Sequence, residues 1–265
     1  MAAQPGKRDE GFRATYRTRT YRLRTGGVAR TNPVPGMAHE NLLAGEGAGL
    51  VGGVDEVGVG AWAGPVTVGA VVLRPGTRIY KVRDSKLLDA GRRRWLAERV
   101  KKQCLCWSVG MSWPAEIDKV GLSEAIRRAG GRALAGLAVR PDAILADGNW
   151  NFLKQHCPNV KMVVRGDCES VSIACASIVA KVIRDELMAQ LAALYPFYLF
   201  ESNKGYPSPF HKWALAGFGP SPIHRRLFAP VRKLVDEGVP GRLLGEAGAL
   251  SAPQASVSPD RKSVV

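Results

Sequence analysis

Four acids stand where acids are costly. Asp55 and Glu56 follow directly on the apolar run Leu50-Val51-Gly52-Gly53-Val54, and Asp147 follows Ala143-Ile144-Leu145-Ala146. Asp167 comes three residues after the run Val160 to Val164. A carboxylate buried in such a run is strongly disfavoured unless it is paired or bound to a cation. No Lys or Arg adjoins Asp55 or Asp147 in the sequence. Four carboxylates in one pocket would raise each other's pKa values unless a divalent cation neutralised them. All-oxygen donors suit Mg2+ or Mn2+ rather than zinc. One acid at a strand end is commonly only a solvated cap, but four of them, with glycines on both sides of Asp55-Glu56, read as a ligand set. Gly58-Val59-Gly60 follows the pair. A Gly-x-Gly lets the backbone come close to a ligand and offer N–H and C=O groups, although the same spacing often marks only a turn.

These acids must be carried by strands. Leu50 to Asp55 reads as a strand start, and Val66 to Leu73, bounded by Pro65 and Pro75, as a buried strand. Cys104 to Met111 alternates. Three strands in succession predict an antiparallel meander. Pro114 to about Leu137 predicts a helix broken near Gly130-Gly131. Short strands ending near Asp147 and Val164 follow, then a long helix from Val171 to Leu194, stopped before Pro196. Strand and helix alternate there, which predicts parallel strands covered by helices. The fold expected is an α/β mixed sheet with helices on its faces and a C-terminal helical extension.

The 265 residues hold 38 Lys and Arg against 23 Asp and Glu, a net charge of +15, which points to a polyanionic partner such as nucleic acid. Residues 1–36 concentrate that charge, with eight Lys or Arg against two acids. We expect residues 1–47 to form an unstructured basic arm, residues 48–240 the catalytic domain and residues 241–265 a disordered tail. The arm reads as a phosphate binder or a transit-like leader, or as a segment upstream of a true start at Met37. No apolar run approaches the length of a membrane span. Five cysteines without a C-x-x-C pair argue against a disulfide framework and for a cytoplasmic protein.

Several segments together resemble one known family. Val54-Asp55-Glu56-Val57-Gly58-Val59-Gly60 with Ala63-Gly64-Pro65-Val66 is similar to the opening motif of ribonuclease HII. Arg83-Asp84-Ser85-Lys86-Leu87 resembles its D-S-K-x-L segment, and Asp147-Gly148 its second acidic motif. The stretch from Gly166-Asp167-Cys168-Glu169-Ser170 through Lys181-Val182-Ile183-Arg184-Asp185 resembles its longest motif. Lys204-Gly205-Tyr206 with His211, then Gly219 to Arg226, complete the order over about Gly49 to Val235.

The resemblance implies an RNase H-like fold. It also implies an endonuclease that cuts the RNA strand of RNA–DNA hybrids and ribonucleotides embedded in duplex DNA. Asp55, Glu56, Asp147 and Asp167 map onto the family's four acids, and Asp185 onto an accessory acid or else a solvated helix residue. Two metals ~3.5–4 Å apart would clamp the attacking and leaving oxygens, leaving a 3′-hydroxyl and a 5′-phosphate. The family's G-R-G loop reads the 2′-hydroxyl largely through its backbone, and a tyrosine stacks on the neighbouring sugar. These map to Gly58, Val59, Gly60 and Tyr206. Lys86 and Ser170 are candidate phosphate contacts, or a surface residue and a helix cap. His211 and His224 are expected to be structural hydrogen bonders. The sequence departs from the family at Val59, where Arg is usual, and at Pro207, which replaces a glycine. A monomer acting on nucleic acid without a membrane is expected. DNA resolvase or transposase chemistry, and a hybrid-binding protein without turnover, are the competing readings.

Overall fold

The first described elements are two short strands. Thr20–Arg22 (β1) pairs antiparallel with Val28–Arg30 (β2), Thr20 opposite Arg30 and Arg22 opposite Val28. The expectation of an unstructured arm fails over these residues. The computed structural model describes residues 20–22, 28–30, 34–74, 76, 77, 79, 82 and 89–238. The expected tail at 241–265 lies outside them. The chain divides at Pro33, and a second unit runs from Val34.

That second unit begins earlier than expected. The helix Ala38–Gly45 (α1) buries Glu40 and Leu43. The Gly36 N–H donates to the Glu169 carbonyl at 3.0 Å, and the Gly36 carbonyl accepts from the Val171 N–H at 3.1 Å. Residues 34–47 therefore belong with the folded body rather than with the arm. One leucine and one buried acid leave no periodicity that a sequence reading can use.

The sheet matches its expected topology. Val51–Val57 (β3), Val66–Val72 (β4) and Cys106–Ser112 (β5) form the antiparallel meander. Ala143–Asp147 (β6) runs parallel to β3, and Val160–Val163 (β7) parallel to β6. The order across the sheet is β5-β4-β3-β6-β7. A helix not expected, Ala90–Gln103 (α2), joins β4 to β5 and buries Leu96, Ala97 and Val100. Its dense Arg and Lys content hides that stripe. The next segment splits into Pro114–Val120 (α3) and Leu122–Ala135 (α4) at Gly121, whose φ is 82°. Gly130 and Gly131 do not break the helix. A side chain at Gly130 would crowd Leu153 and Phe152, and one at Gly131 would crowd His156.

Strand alternation assigns the two faces. Val54, Val68, Ala70 and Ala146 pack with Ile117, Ala125, Ile126 and Ala129 of α3 and α4. On the other face Val71 packs with Leu96 and Val100 of α2 and with Ala174 and Ile178 of the long helix Val171–Leu194 (α6). The short helix Gly166–Glu169 (α5) leads into α6. Beyond α6 come a 3₁₀ turn Pro196–Tyr198 and the helices Phe200–Asn203 (α7), Pro209–Phe218 (α8) and Ala229–Glu237 (α9). Met188, Leu191, Tyr198, Phe200, Ala214 and Ile223 form the core of this extension.

Helix α6 lies unusually close to the sheet. A methyl group at Gly53 would overlap the Ser172 carbonyl, and one at Gly69 would overlap the Ala176 carbonyl. Both obstacles are backbone and cannot rotate away. Overpacking of this kind typically costs ~1–3 kcal/mol. Gly53→Ala should therefore lower the thermal midpoint by roughly 2–12 °C. Gly45→Ala, with open space around it, is the control that should leave it in place. An unchanged midpoint for Gly53→Ala, read by circular dichroism, contradicts the close contact.

Candidate active site

Asp55 lies on the α6 face of β3, beside Gly69 of β4. In the parallel register Val54 faces Ala146, so Asp55 and Asp147 leave the sheet at the same end. Asp55 is 6% exposed. Its Oδ1 accepts the Glu56 N–H at 2.8 Å, and the Ser177 hydroxyl on α6 also bonds its carboxylate. Burial pushes the Asp55 carboxyl well above the usual range. The negative charge of Glu56 raises it further, Asp147 and Asp167 add smaller increments, and the Ser177 bond opposes them.

Asp147 is half-buried at the end of β6. Its Oδ1 accepts the Gly166 N–H at 2.6 Å. That bond ties the strand to α5, which carries the buried Asp167. The four acids singled out in the sequence thus converge at one sheet end. Among the described residues, no three or more His, Cys, Asp or Glu side chains are already set at ligand spacing. The donor chemistry nevertheless fits a divalent cation. All the donors are hard oxygens, and a positive charge among them would relieve the repulsion that raises Asp55.

The loop after β3 is sewn to the C-terminal extension. The Trp62 N–H donates to the Gly205 carbonyl at 2.8 Å, Gly64 to Ile223 at 2.9 Å, and Arg225 to Trp62 at 2.8 Å. These bonds bring Tyr206 to the Gly58–Gly60 loop. Lys181 and Arg184 of α6 lie against the Tyr206 ring, 5.6 and 5.4 Å from its centroid. The Ser221 N–H donates to His224 Nδ1, so His224 Nε2 carries the proton it shares with His211 Nε2 at 2.9 Å. His211 Nδ1 then donates to the Tyr206 carbonyl at 2.8 Å. Burial keeps His224 neutral, with a pKa pulled down to about 3. Both histidines are structural hydrogen bonders, as expected.

Gly58 has a φ of 86° and no room for a side chain, because the Arg184 guanidinium fills the space a Cβ would need. Gly60 faces open space. Val59 packs on the core shared by the sheet, α3 and α4, which gives a physical reason for valine in place of the arginine the resemblance leads one to expect.

Two expected contacts, Ser170 and Asp185, are engaged elsewhere. Ser170 is buried and its hydroxyl is committed. It caps α6 through the Ile173 N–H, donates to Glu40 at 2.6 Å and meets Ser172 at 3.0 Å. The structure makes it a helix cap, not a phosphate contact. Asp185 is paired with Lys181 at 2.6 Å and Arg93 at 3.5 Å, two turns along α6 from Ser177. Those two cations match its charge. Lys86 lies outside the described residues. Sequence reasoning missed the roles of Ser177, Glu40, Arg184 and Arg225. An arginine in the apolar run of α6 was the visible signal for Arg184.

Comparison with known proteins shows the family of this chain. Residues 52–231 match the family model described as Ribonuclease HII. A Ribonuclease HII of Streptomyces avermitilis is 46% identical over 189 residues, covering 71% of this chain and 81% of the relative. One of Thermus thermophilus is 46% identical over 183 residues, covering 69% and 87%. The crystal structure of ribonuclease H2 from Pyrococcus horikoshii OT3 superposes with a TM-score of 0.62 at 29% identity, covering 71% of this chain and 98% of that one.

The raised Asp55 pKa has a definite sign in stability. An acid whose folded pKa exceeds its unfolded value near ~3.9 destabilises the fold progressively as pH rises between the two. In a chelating buffer, Asp55→Asn should therefore be more stable than the native chain at pH 7–8. The gap should close as pH falls towards about 4. Thermal melts across pH measure this, and a variant less stable at every pH contradicts the assignment.

Proposed function

The chain belongs to the ribonuclease HII family and is a type 2 ribonuclease H endonuclease; from that premise we propose that it hydrolyses the RNA strand of RNA–DNA hybrids and cuts at single ribonucleotides in duplex DNA. The observation that carries the reading is a buried Asp55 ringed by Glu56, Asp147 and Asp167 at the sheet end that also bears the Gly58–Gly60 loop. Asp55, Glu56, Asp147 and Asp167 would hold two divalent cations, Mg2+ or Mn2+, which when bound supply an activated water and stabilise the leaving oxygen. Asp55, buried and subject to the charge of the other three, would be one of the ligands. The products would carry a 3′-hydroxyl and a 5′-phosphate.

Substrate choice falls to the loop. Gly60 is exposed and free of steric obstruction, so its backbone can approach a 2′-hydroxyl. Tyr206, held by its carbonyl and flanked by two cations, offers a face to the adjacent sugar. We place the protein as a monomer in a reducing, cytoplasmic setting, which its five free cysteines suit. Among the described residues no helix is long and apolar enough to cross a membrane. A binding protein without turnover is the weaker reading, since all four acids are present.

Two variants test this. Asp55→Asn should abolish cleavage of a duplex bearing one ribonucleotide in Mn2+ or Mg2+, with duplex binding retained. Substantial cleavage by that variant would overturn the metal assignment. Val59→Arg should leave the preference for ribose over deoxyribose unchanged. It should tighten binding up to about tenfold through a phosphate contact of ~1.5 kcal/mol that weakens with salt. If Val59→Arg instead creates ribonucleotide cleavage absent from the native chain, backbone readout is wrong.

A further inference from the structure

Two arginines are fully buried among the described residues, Arg184 and Arg225. Buried guanidinium groups are ordinarily held by carboxylates. Here neither forms an ion pair among the described residues. Both bond to backbone carbonyls instead, and Arg225 Nη2 meets no partner among the described residues. Arg184 donates to Pro65 at 2.9 Å, to Ala63 at 3.1 Å and to Lys204 at 2.9 Å. Arg225 donates to Gly64 at 2.9 Å and to Val59 at 2.9 Å. Four of the five carbonyls lie between residues 59 and 65. Arg184 also occupies the space beneath Gly58.

This arrangement fixes the direction of one N–H. A trans peptide is planar, so the C=O of one residue and the N–H of the next point in opposite directions. The Ala63 carbonyl turns in to Arg184, and the next N–H, of Gly64, points away to Ile223. The same rule applies one turn earlier. The Val59 carbonyl turns in to Arg225, so the Gly60 N–H must face away from it. Gly60 is exposed, and among the described residues its N–H meets no acceptor. A buried donor fixed in its rotamer is thus set behind an exposed donor with no partner.

We infer that Arg225 is a positioning residue for substrate recognition, which aims the Gly60 N–H at the ribose hydroxyl by holding the Val59 carbonyl from beneath, with Arg184 bracing the far side of the same loop. Arg225 does not touch the substrate. Its effect passes through one peptide plane. It also allows Val59 to pack into the core, because the loop's orientation is set from below and not by a side chain at 59. The inference rests on backbone readout of the 2′-hydroxyl by this loop.

The test is a double-mutant cycle in the full chain carrying Asp55→Asn, so that binding is read without cleavage. The quantity is the ratio of affinities for matched duplexes with one ribonucleotide and with none, in Mn2+. Gly60→Pro removes the N–H itself and should bring the ratio close to one. Arg225→Lys keeps the charge but cannot hold both carbonyls in the same fork. It should reduce the ratio at least fivefold while affinity for the all-DNA duplex stays within about twofold. In the Gly60→Pro background Arg225→Lys should have no further effect on the ratio. A ratio untouched by Gly60→Pro defeats the backbone-readout reading itself. A ratio that collapses with Gly60→Pro but survives Arg225→Lys defeats only the role of Arg225. Equal losses of affinity for both duplexes would show a merely structural residue. Should Arg225→Lys fail to fold, amide exchange in the otherwise unaltered chain decides. The Gly60 N–H should be protected by the ribonucleotide duplex and not by the all-DNA duplex, and equal protection by both overturns the inference.

Discussion

A carboxylate kept out of water is the constraint on which the rest of this structure depends. Asp55 is buried beneath α6, and three more acids add to the charge around it. Nothing about hydrophobic folding favours that arrangement. It is held by the strand that fixes the Asp55 backbone, by the Ser177 hydroxyl above it and by the Asp147–Gly166 bond that brings α5 alongside. The Ser177 bond requires α6 to run close against the sheet. Gly53 and Gly69 allow this by having no side chains. The start of α6 is held in turn by α1. The Glu40 carboxylate accepts from the Ser172 N–H at 2.9 Å and from the Ser170 hydroxyl, so one buried acid caps the helix that covers another.

The second half of the site obeys the opposite logic. Around the Gly58–Gly64 loop the buried charges are positive. Arg184 and Arg225 bond to carbonyls, so their charge is solvated by fixed dipoles rather than cancelled. Burial, with the charge of Arg184, pulls Arg225 down to about 9, which still leaves it protonated at neutral pH. A cluster of negative charge and a pair of positive charges therefore flank one loop. The first suits cations, and the second holds the loop's carbonyls from beneath. The C-terminal extension contributes Arg225, Tyr206 and the histidine relay, so it completes the site rather than decorating the fold.

Much of this was legible in the sequence, for local reasons. Apolar runs that end in acids announce both the strand and its unusual load, and they single out Asp55, Glu56, Asp147 and Asp167. Parallel and antiparallel pairing followed from the spacing between strands. What escaped was decided by partners distant in the chain. Gly130 and Gly131 look like helix breakers, yet Phe152, Leu153 and His156 make them interior helix residues. Ser170 looks like a phosphate ligand until Glu40, 130 residues away, takes its hydroxyl. Asp185 looks like a ligand until α2 brings Arg93 to it. A sequence shows which residue types are present, but not which of them the fold has already satisfied.

The central claim is that Asp55, Glu56, Asp147 and Asp167 form a single cation site. Calorimetric titration of Mn2+ into the native chain and into Asp147→Asn tests it most directly, because that variant removes one charge without touching the buried acids Asp55 and Asp167. Loss of a single carboxylate ligand should weaken Mn2+ binding by at least about tenfold, in line with the sensitivity of metal sites to their supporting groups. Equal binding by both proteins, or no binding by the native chain, would contradict the account.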